Sequence, residues 1–234
     1  MSQRKEIEQS NILTAKNVTY RYYEQSKRNI LENTEFHLKK GKITVLIGSS
    51  GCGKSTLAAV MAGLLPANGG VLSQGEIQWD GIDMQKLSPH QRVKYVSMMF
   101  QNSDLQFCMS TLREELRFCL ENISVPPEKM DTIIKSVIEK TGMGSLLDRK
   151  LQTLSGGEKQ KAALCCILAL GSKCIMLDEP FANIDGESSQ ELISLLYKLN
   201  RERGLTILAI DHKLDRWLDV ADEIVLMGRK GKIL

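Results

Sequence analysis

No stretch of this sequence is long and apolar enough to cross a membrane. The longest nearly unbroken apolar run is Ala162 to Leu170, and a spanning helix needs about 20 such residues. If the protein works at a membrane, another chain must do the crossing. The N-terminal Met1 to Ser10 has no apolar core, so no secretory signal is read there. The six cysteines (Cys52, Cys108, Cys119, Cys165, Cys166 and Cys174) form no C-x-x-C pair and no Cys/His cluster with zinc spacing. They read as reduced thiols and hence as cytosolic. Internal repeats, low-complexity segments and sustained heptads are missing too, which excludes a long coiled-coil arm. The charge excess is only +3, a balance that speaks for solubility rather than for nucleic-acid binding.

What is present is an ordinary globular composition. Of 234 residues, 42% are hydrophobic and 25% charged, enough for one large domain or a core with a modest insertion. The stretch Gly48, Ser49, Ser50, Gly51, Cys52, Gly53, Lys54, Ser55, Thr56 contains G-x-x-x-x-G-K-S. Glycines let successive backbone N–H groups turn inward onto phosphate oxygens. Lys54 brings a positive charge to the β- and γ-phosphates, and the Ser55 hydroxyl is placed to hold Mg²⁺. Before it, Ile43 to Ile47 reads as a strand buried on both faces. After it, Lys54 to Leu64 reads as a helix whose first amides face an anion. These residues predict a nucleotide-binding loop.

Along the chain, residues 1 to 12 read as a polar start. Strands are predicted over 13–23 and 34–38, a short strand and turn over 75–81, a helical turn at Ser88 with Pro89 in its first position, and a strand over 93–100. His37 and His90 read as ordinary surface or half-buried residues. From 101 to 154 strand signals vanish, and helical spacing over 111–121 and 128–140 marks an inserted helical lobe. The alternation then resumes. A helix runs from Ser155 to Leu170 and stops at Gly171, a buried strand spans 174–177, and a helix over 186–203 has Asp185 as N-cap and Gly204 as stop. Strands at 206–210 and 223–227 follow, both read as buried. This predicts an α/β fold with a mainly parallel sheet covered on both faces.

Three apolar strands end in polar residues, at the phosphate loop, at Asp178-Glu179 and at Asp211-His212. Ligands of open parallel sheets bind outside the carboxyl ends of the strands. Asp178 is a candidate Mg²⁺ ligand, acting through the ion's water shell. Glu179 is the candidate general base. Ser155 and Glu158 in Leu154-Ser-Gly-Gly-Glu form a capping box. Gly156 and Gly157 are unexplained by that box, because glycine costs helix stability. They suit close approach of an anion to a positive helix end.

These motifs, with Gln101 following a strand and His212 near the end, occur in the order of an ABC-type ATPase cassette, and the resemblance covers essentially the whole chain. It implies a P-loop NTPase (RecA-like) core, an N-terminal antiparallel β subdomain and an inserted α-helical subdomain. The core would be residues 1–100 and 155–234, and the helical subdomain residues 101–154. It further implies ATP and Mg²⁺ as ligands and a second cassette as partner, head to tail. Ser155, Gly156 and Gly157 would contact the γ-phosphate of ATP bound on that partner. His212 would contact the γ-phosphate and support Glu179, and Gln101 would link metal and water to the helical lobe. Asp185 would match an aspartate crossing the dimer interface. Tyr22 would stack on adenine, with Tyr20 and Tyr23 as near alternatives. Glu158 stands where glutamine is commoner, and Ala182-Asn-Ile-Asp185 departs from the usual Ser-Ala-Leu-Asp. The chain stops just after its last strand, from which no extra regulatory or dimerisation domain is expected.

The segment Phe100-Gln-Asn-Ser-Asp-Leu-Gln-Phe107 resembles the F-Q-N-P-D-x-Q segment of ATPase subunits from energy-coupling-factor importers, which take up vitamins and cobalt or nickel ions. Ser103 replaces the proline. The expected function is therefore ATP hydrolysis powering a membrane importer at the cytoplasmic face of the cell membrane. A separate transmembrane subunit would dock on the Gln101 to Leu116 region, and no nucleic acid is expected as partner. Three other readings stand beside it. They are an exporter or lipoprotein-releasing ATPase, a soluble cassette acting on DNA or ribosomes, and a nucleotide-binding regulator without turnover. The retained Lys54, Asp178, Glu179 and His212 speak against the last.

Overall fold

The computed structural model describes residues 11–102, 106–182 and 184–234. Residues 1–10 of the polar start expected over 1–12, Ser103, Asp104 and Leu105 of the Phe100–Phe107 segment, and Asn183 lie outside the described residues. In chain order the elements are β1 (Asn11–Arg21), β2 (Leu31–Lys39), β3 (Ile43–Gly48), α1 (Lys54–Met61), β4 (Val71–Trp79), β5 (Ile82–Asp83), α2 (Pro89–Arg92) and β6 (Val96–Met99). Then come α3 (Leu112–Asn122), α4 (Pro127–Thr141), α5 (Gly156–Leu170), β7 (Cys174–Asp178), α6 (Gly186–Arg203), β8 (Thr206–Ile210) and β9 (Glu223–Met227).

Two sheets result. One is antiparallel, in the order β2-β1-β4-β5, and occupies the N-terminal part of the chain. The other is parallel, in the order β6-β7-β8-β3-β9. Successive side chains of a strand point to opposite faces, so the central strands supply two cores at once. Leu46, Met176 and Leu208 face α1 and the antiparallel sheet, packing with Leu57, Met61 and Trp79. Val45, Ile175, Leu177 and Ile207 face α5 and α6, packing with Leu164, Leu192 and Leu196. Each such buried aliphatic side chain contributes about 1.5–3 kcal/mol. A third cluster joins α3, α4 and α5 through Leu116, Leu120, Ile134, Val137 and Cys165.

Local signals set most of the ends. Ser88 and Gln91 form a capping box at α2, as do Thr111 and Glu114 at α3 and Ser155 and Glu158 at α5. Asp185 caps α6, and Gly171 and Gly204 close α5 and α6 in the left-handed conformation. Some boundaries differ from the expected ones. Helix α1 is shorter at its end, because Ala62 caps it and the Leu64 N–H turns back onto the Ala59 carbonyl at 2.9 Å. Strand β6 starts only at Val96, since Val93 is taken up in the cap of α2.

One expectation is overturned. The strand at 223–227 is not buried. Strand β9 lies at the edge of its sheet, paired through β3 alone among the named strands, and Ile224 and Leu226 are 46% and 45% exposed.

Candidate active site

The loop between β3 and α1 opens outside the carboxyl end of the parallel sheet. Gly53, the residue before α1, has φ 113, a backbone conformation that side chains rarely adopt. Among the described residues no side chain caps α1, and its first turn holds no acidic residue. The leading amides therefore remain available to an anion. Lys54 is buried, and its ammonium donates to the carbonyls of Gly48 (2.9 Å) and Ser49 (3.2 Å), curling back over the loop. The Ser55 hydroxyl donates to Asp178 Oδ1 at 2.9 Å. Cys52 is buried in the first core cluster.

Asp178 and Glu179 stand where β7 ends. Burial pushes the Asp178 carboxyl above its ordinary range. The hydrogen bond from Ser55 pulls it back, the neighbouring Glu179 charge raises it, and Lys54 and His212 lower it. Glu179 adopts φ 49, a left-handed backbone unusual for a residue with a side chain. Such strain collects at functional sites. Its N–H is tied to the Ile210 carbonyl at 2.9 Å. Its carboxylate is held at both oxygens, accepting from Gln101 Nε2 at 2.9 Å and lying 2.8 Å from His212 Nε2. Gln101 follows β6 and His212 follows β8, and these two strands flank β7. Three separate chain segments thus converge on one half-exposed carboxylate beside Ser55 and Asp178. This arrangement can bind phosphates and accept a proton from water.

Asp211, read from the sequence as a polar strand end of the same kind, is placed differently. Its carboxylate is buried and turned onto its own loop, accepting from the amides of His212 and Lys213 and from Trp217. The tyrosines separate as well. Tyr20 is fully buried with its hydroxyl on the Gly69 carbonyl, which removes it as a ring able to meet adenine. Tyr22 is 45% exposed, and its hydroxyl shares a 2.8 Å hydrogen bond with Thr56 at the loop's end. Tyr23 is 76% exposed.

Ser155 and Gly156 are exposed at the start of α5. Among the described residues, neither they nor Gly157 hydrogen-bonds the phosphate loop or Glu179 of the same chain. Glu158 is held below the usual carboxylate range, chiefly by the Ser155 backbone N–H. Gly157 is buried, and a Cβ there would lie 2.5 Å from the Cβ of Ser188. The tight contact of α5 with α6 thus requires this glycine whatever else approaches it. Asp185 is exposed. Its carboxylate is held below its ordinary value by the Ser188 amide, which it accepts at 2.8 Å. His37 and His90 are surface residues, and all six cysteines are free thiols. Ser188 and Trp217 were not singled out from the sequence. The only sequence signal for Trp217 is a lone tryptophan five residues after His212 in a polar loop.

With this geometry in view, comparison with known proteins decides the family. The family model for ABC transporters matches residues 31–182. The chain belongs to the ABC transporter family. Its members carry an ATP-hydrolysing cassette, and the two-sheet, P-loop NTPase fold described above is the fold of such a cassette. The cassette is 35% identical over 222 residues to YkoD of Bacillus subtilis, a protein named for HMP/thiamine import. The match covers 94% of this chain and 40% of that protein. It is 32% identical over 225 residues to the energy-coupling factor transporter ATP-binding protein EcfA of Pediococcus pentosaceus, covering 96% of this chain and 78% of EcfA. In structure it resembles cbiO1 of Clostridium perfringens, described as part of the ABC transporter complex cbiONQ. That match has a TM-score of 0.83 and 25% identity, and covers 96% of this chain and 87% of that one. This cassette therefore spans most of EcfA and cbiO1 but less than half of YkoD.

Proposed function

We propose that this chain is the ATP-binding and ATP-hydrolysing subunit of a membrane importer of the energy-coupling-factor type, moving a vitamin or a transition-metal ion. The observation that carries hydrolysis is the convergence of Gln101 and His212 on Glu179, next to the Ser55–Asp178 pair. The relatives named for thiamine import and for energy-coupling factor transport favour import over export, and over work on DNA or ribosomes.

In this reading the amides from Gly48 to Thr56 and the Lys54 ammonium hold the phosphates. Lys54 leaves the Gly48 and Ser49 carbonyls to do so. Tyr22, tethered to Thr56, offers its exposed ring to adenine. Ser55 and Asp178 supply two hard oxygen donors at one point, and among the described residues the buried carboxylate has no direct ion-pair partner. This donor set fits Mg²⁺, which prefers oxygen and keeps several waters. When bound, Mg²⁺ supplies positive charge for the β- and γ-phosphate oxygens. Glu179 takes the proton of the attacking water, and the products are ADP and phosphate. Gln101 and His212 hold that carboxylate in one orientation, so little reorganisation remains at the moment of reaction. Ser155, Gly156 and Gly157 complete the ATP site of a second cassette, with Asp185 at the same interface, and dimer closure and reopening follow the nucleotide.

The work is delivered to a separate transmembrane subunit. In this reading the cassette sits peripherally at the cytoplasmic face; among the described residues no helix is long and apolar enough to cross a membrane. Residues 101–154 act as the coupling lobe on a core of 1–100 and 155–234. A cleft of about 570 Å³ beside that lobe, lined among others by Phe100, Phe107, Glu115 and Ile167, is the docking surface. Purification from membranes of the native host tests the reading. A co-purifying small membrane subunit that binds a vitamin or metal ion is expected, and ribosomes or DNA in its place would overturn it.

A further inference from the structure

We propose that Asp211 and Trp217 form a positioning device that fixes His212 against Glu179. The proposal rests on the hydrolytic reading above and adds two residues to it. Asp211 is 7% exposed and Trp217 fully buried. One oxygen of the Asp211 carboxylate accepts the amides of His212 (2.7 Å) and Lys213 (2.9 Å), which pins the backbone that carries the histidine. The other oxygen accepts the indole N–H of Trp217 at 2.9 Å. The indole ring in turn packs against Phe181, with centroids 5.4 Å apart and an interplanar angle of 47°. Phe181 lies two residues beyond Glu179, and the Arg216 guanidinium sits over the same ring at 5.2 Å. One buried indole thus grips both loops, the histidine's through a hydrogen bond and the glutamate's through ring packing.

A simpler account makes Asp211 a loop cap and nothing more. Capping two amides needs one carboxylate oxygen, and it leaves the second oxygen and the buried indole N–H without purpose. The two groups answer each other: removing either strands a buried polar partner, a loss felt more strongly than a neutral hydrogen bond. His212 itself is exposed, so without this anchor its ring would sample several rotamers. The hydrogen bond it shares with Glu179 would then be made only part of the time.

The test uses the full chain under saturating MgATP, with Asp211→Asn, Trp217→Phe and the double variant. Asparagine at 211 has one acceptor oxygen for three N–H donors, so its NH2 must face either the indole N–H or the two backbone amides, and phenylalanine at 217 keeps the ring but removes the donor. Each single variant should lower kcat about ten- to a hundredfold, as small misplacement of a reacting group does, while nucleotide affinity stays within about twofold. The double variant should be no worse than the worse single one, and in a His212→Ala background neither change should lower kcat further. Unchanged kcat, additive losses, or loss of nucleotide binding in step with kcat would each overturn the proposal. A readout independent of turnover separates it from the hydrolytic reading. Hydrogen exchange at the His212 and Lys213 amides should quicken in Trp217→Phe, although tryptophan is not their acceptor, and unchanged exchange there overturns the device. A wild-type chain that binds ATP yet hydrolyses none, alone or with its membrane partner, would instead overturn the function while the exchange result still decides the device.

Discussion

Glu179→Gln isolates the chemical step. Glutamine keeps the volume, the reach and the Cβ of the native residue, so the strained backbone at φ 49 is unchanged. Its amide oxygen still accepts from Gln101 or His212, and at most one hydrogen bond to the carboxylate is lost at a half-exposed site, about 1.5–3 kcal/mol. Lys54, Ser55 and Asp178, which hold the phosphates, are untouched. The amide cannot accept the proton of the attacking water. A general base is worth about 10²–10⁴-fold in rate, which corresponds to about 3–5 kcal/mol on the barrier at 1.36 kcal/mol per decade. Binding and hydrolysis should therefore separate cleanly. ATP affinity should stay near the wild-type value, single-turnover phosphate release should fall by at least about a hundredfold, and light scattering should show a dimer that persists in ATP. Phosphate release within about tenfold of wild type would remove Glu179 as the base. Lost ATP binding would mean that its charge holds the ground state instead.

Three further outcomes follow from single contacts. Lys54→Ala should abolish ATP binding in equilibrium dialysis, and unchanged affinity would contradict the phosphate-loop assignment. Asp178→Asn should stop hydrolysis yet raise the melting temperature of the nucleotide-free chain at neutral pH. Burial holds the native carboxyl above its ordinary 3.8, so between that pH and the raised value the folded state binds more protons than the unfolded one, and stability falls as pH rises through that window. The gain should shrink toward about pH 4, and a melting temperature unchanged at pH 7 would refute the burial argument. Gly157→Ala should destabilise by about 1–3 kcal/mol through overpacking against Ser188. Ser188→Gly in the same chain should recover most of that loss in thermal melts, whereas equal instability of the double variant would show that the clash is relieved elsewhere.

How far the sequence could be read depends on how far each residue's partner lies along the chain. The caps at Ser155, Asp185 and Gly204 were legible because every group they satisfy is within four residues. The phosphate loop was legible because G-x-x-x-x-G-K-S does its work with its own backbone. Strand β9 was misread because Ile224 and Leu226 are as apolar as Leu208 and Ile210. Only the order of strands, a property of the whole sheet, leaves the first pair at an edge and the second in the middle. Asp178 and Asp211 looked alike, each a carboxylate after an apolar run. The parallel register pairs Asp178 with Ile210, so Asp211 stands one residue further along its strand than Asp178 does, and turns onto its own loop. Gly157 stood out as a glycine without a helical reason, and one reason for it is Ser188, 31 positions later, on a helix that packs across it. The same distance hid Trp217, since nothing in the residues around it shows that its indole meets Phe181 from another strand's loop. Chemistry written into one short stretch can thus be read directly. Chemistry that needs a register, a sheet order or a helix crossing becomes visible only when those are in place, and the orientation of His212 belongs to that second kind.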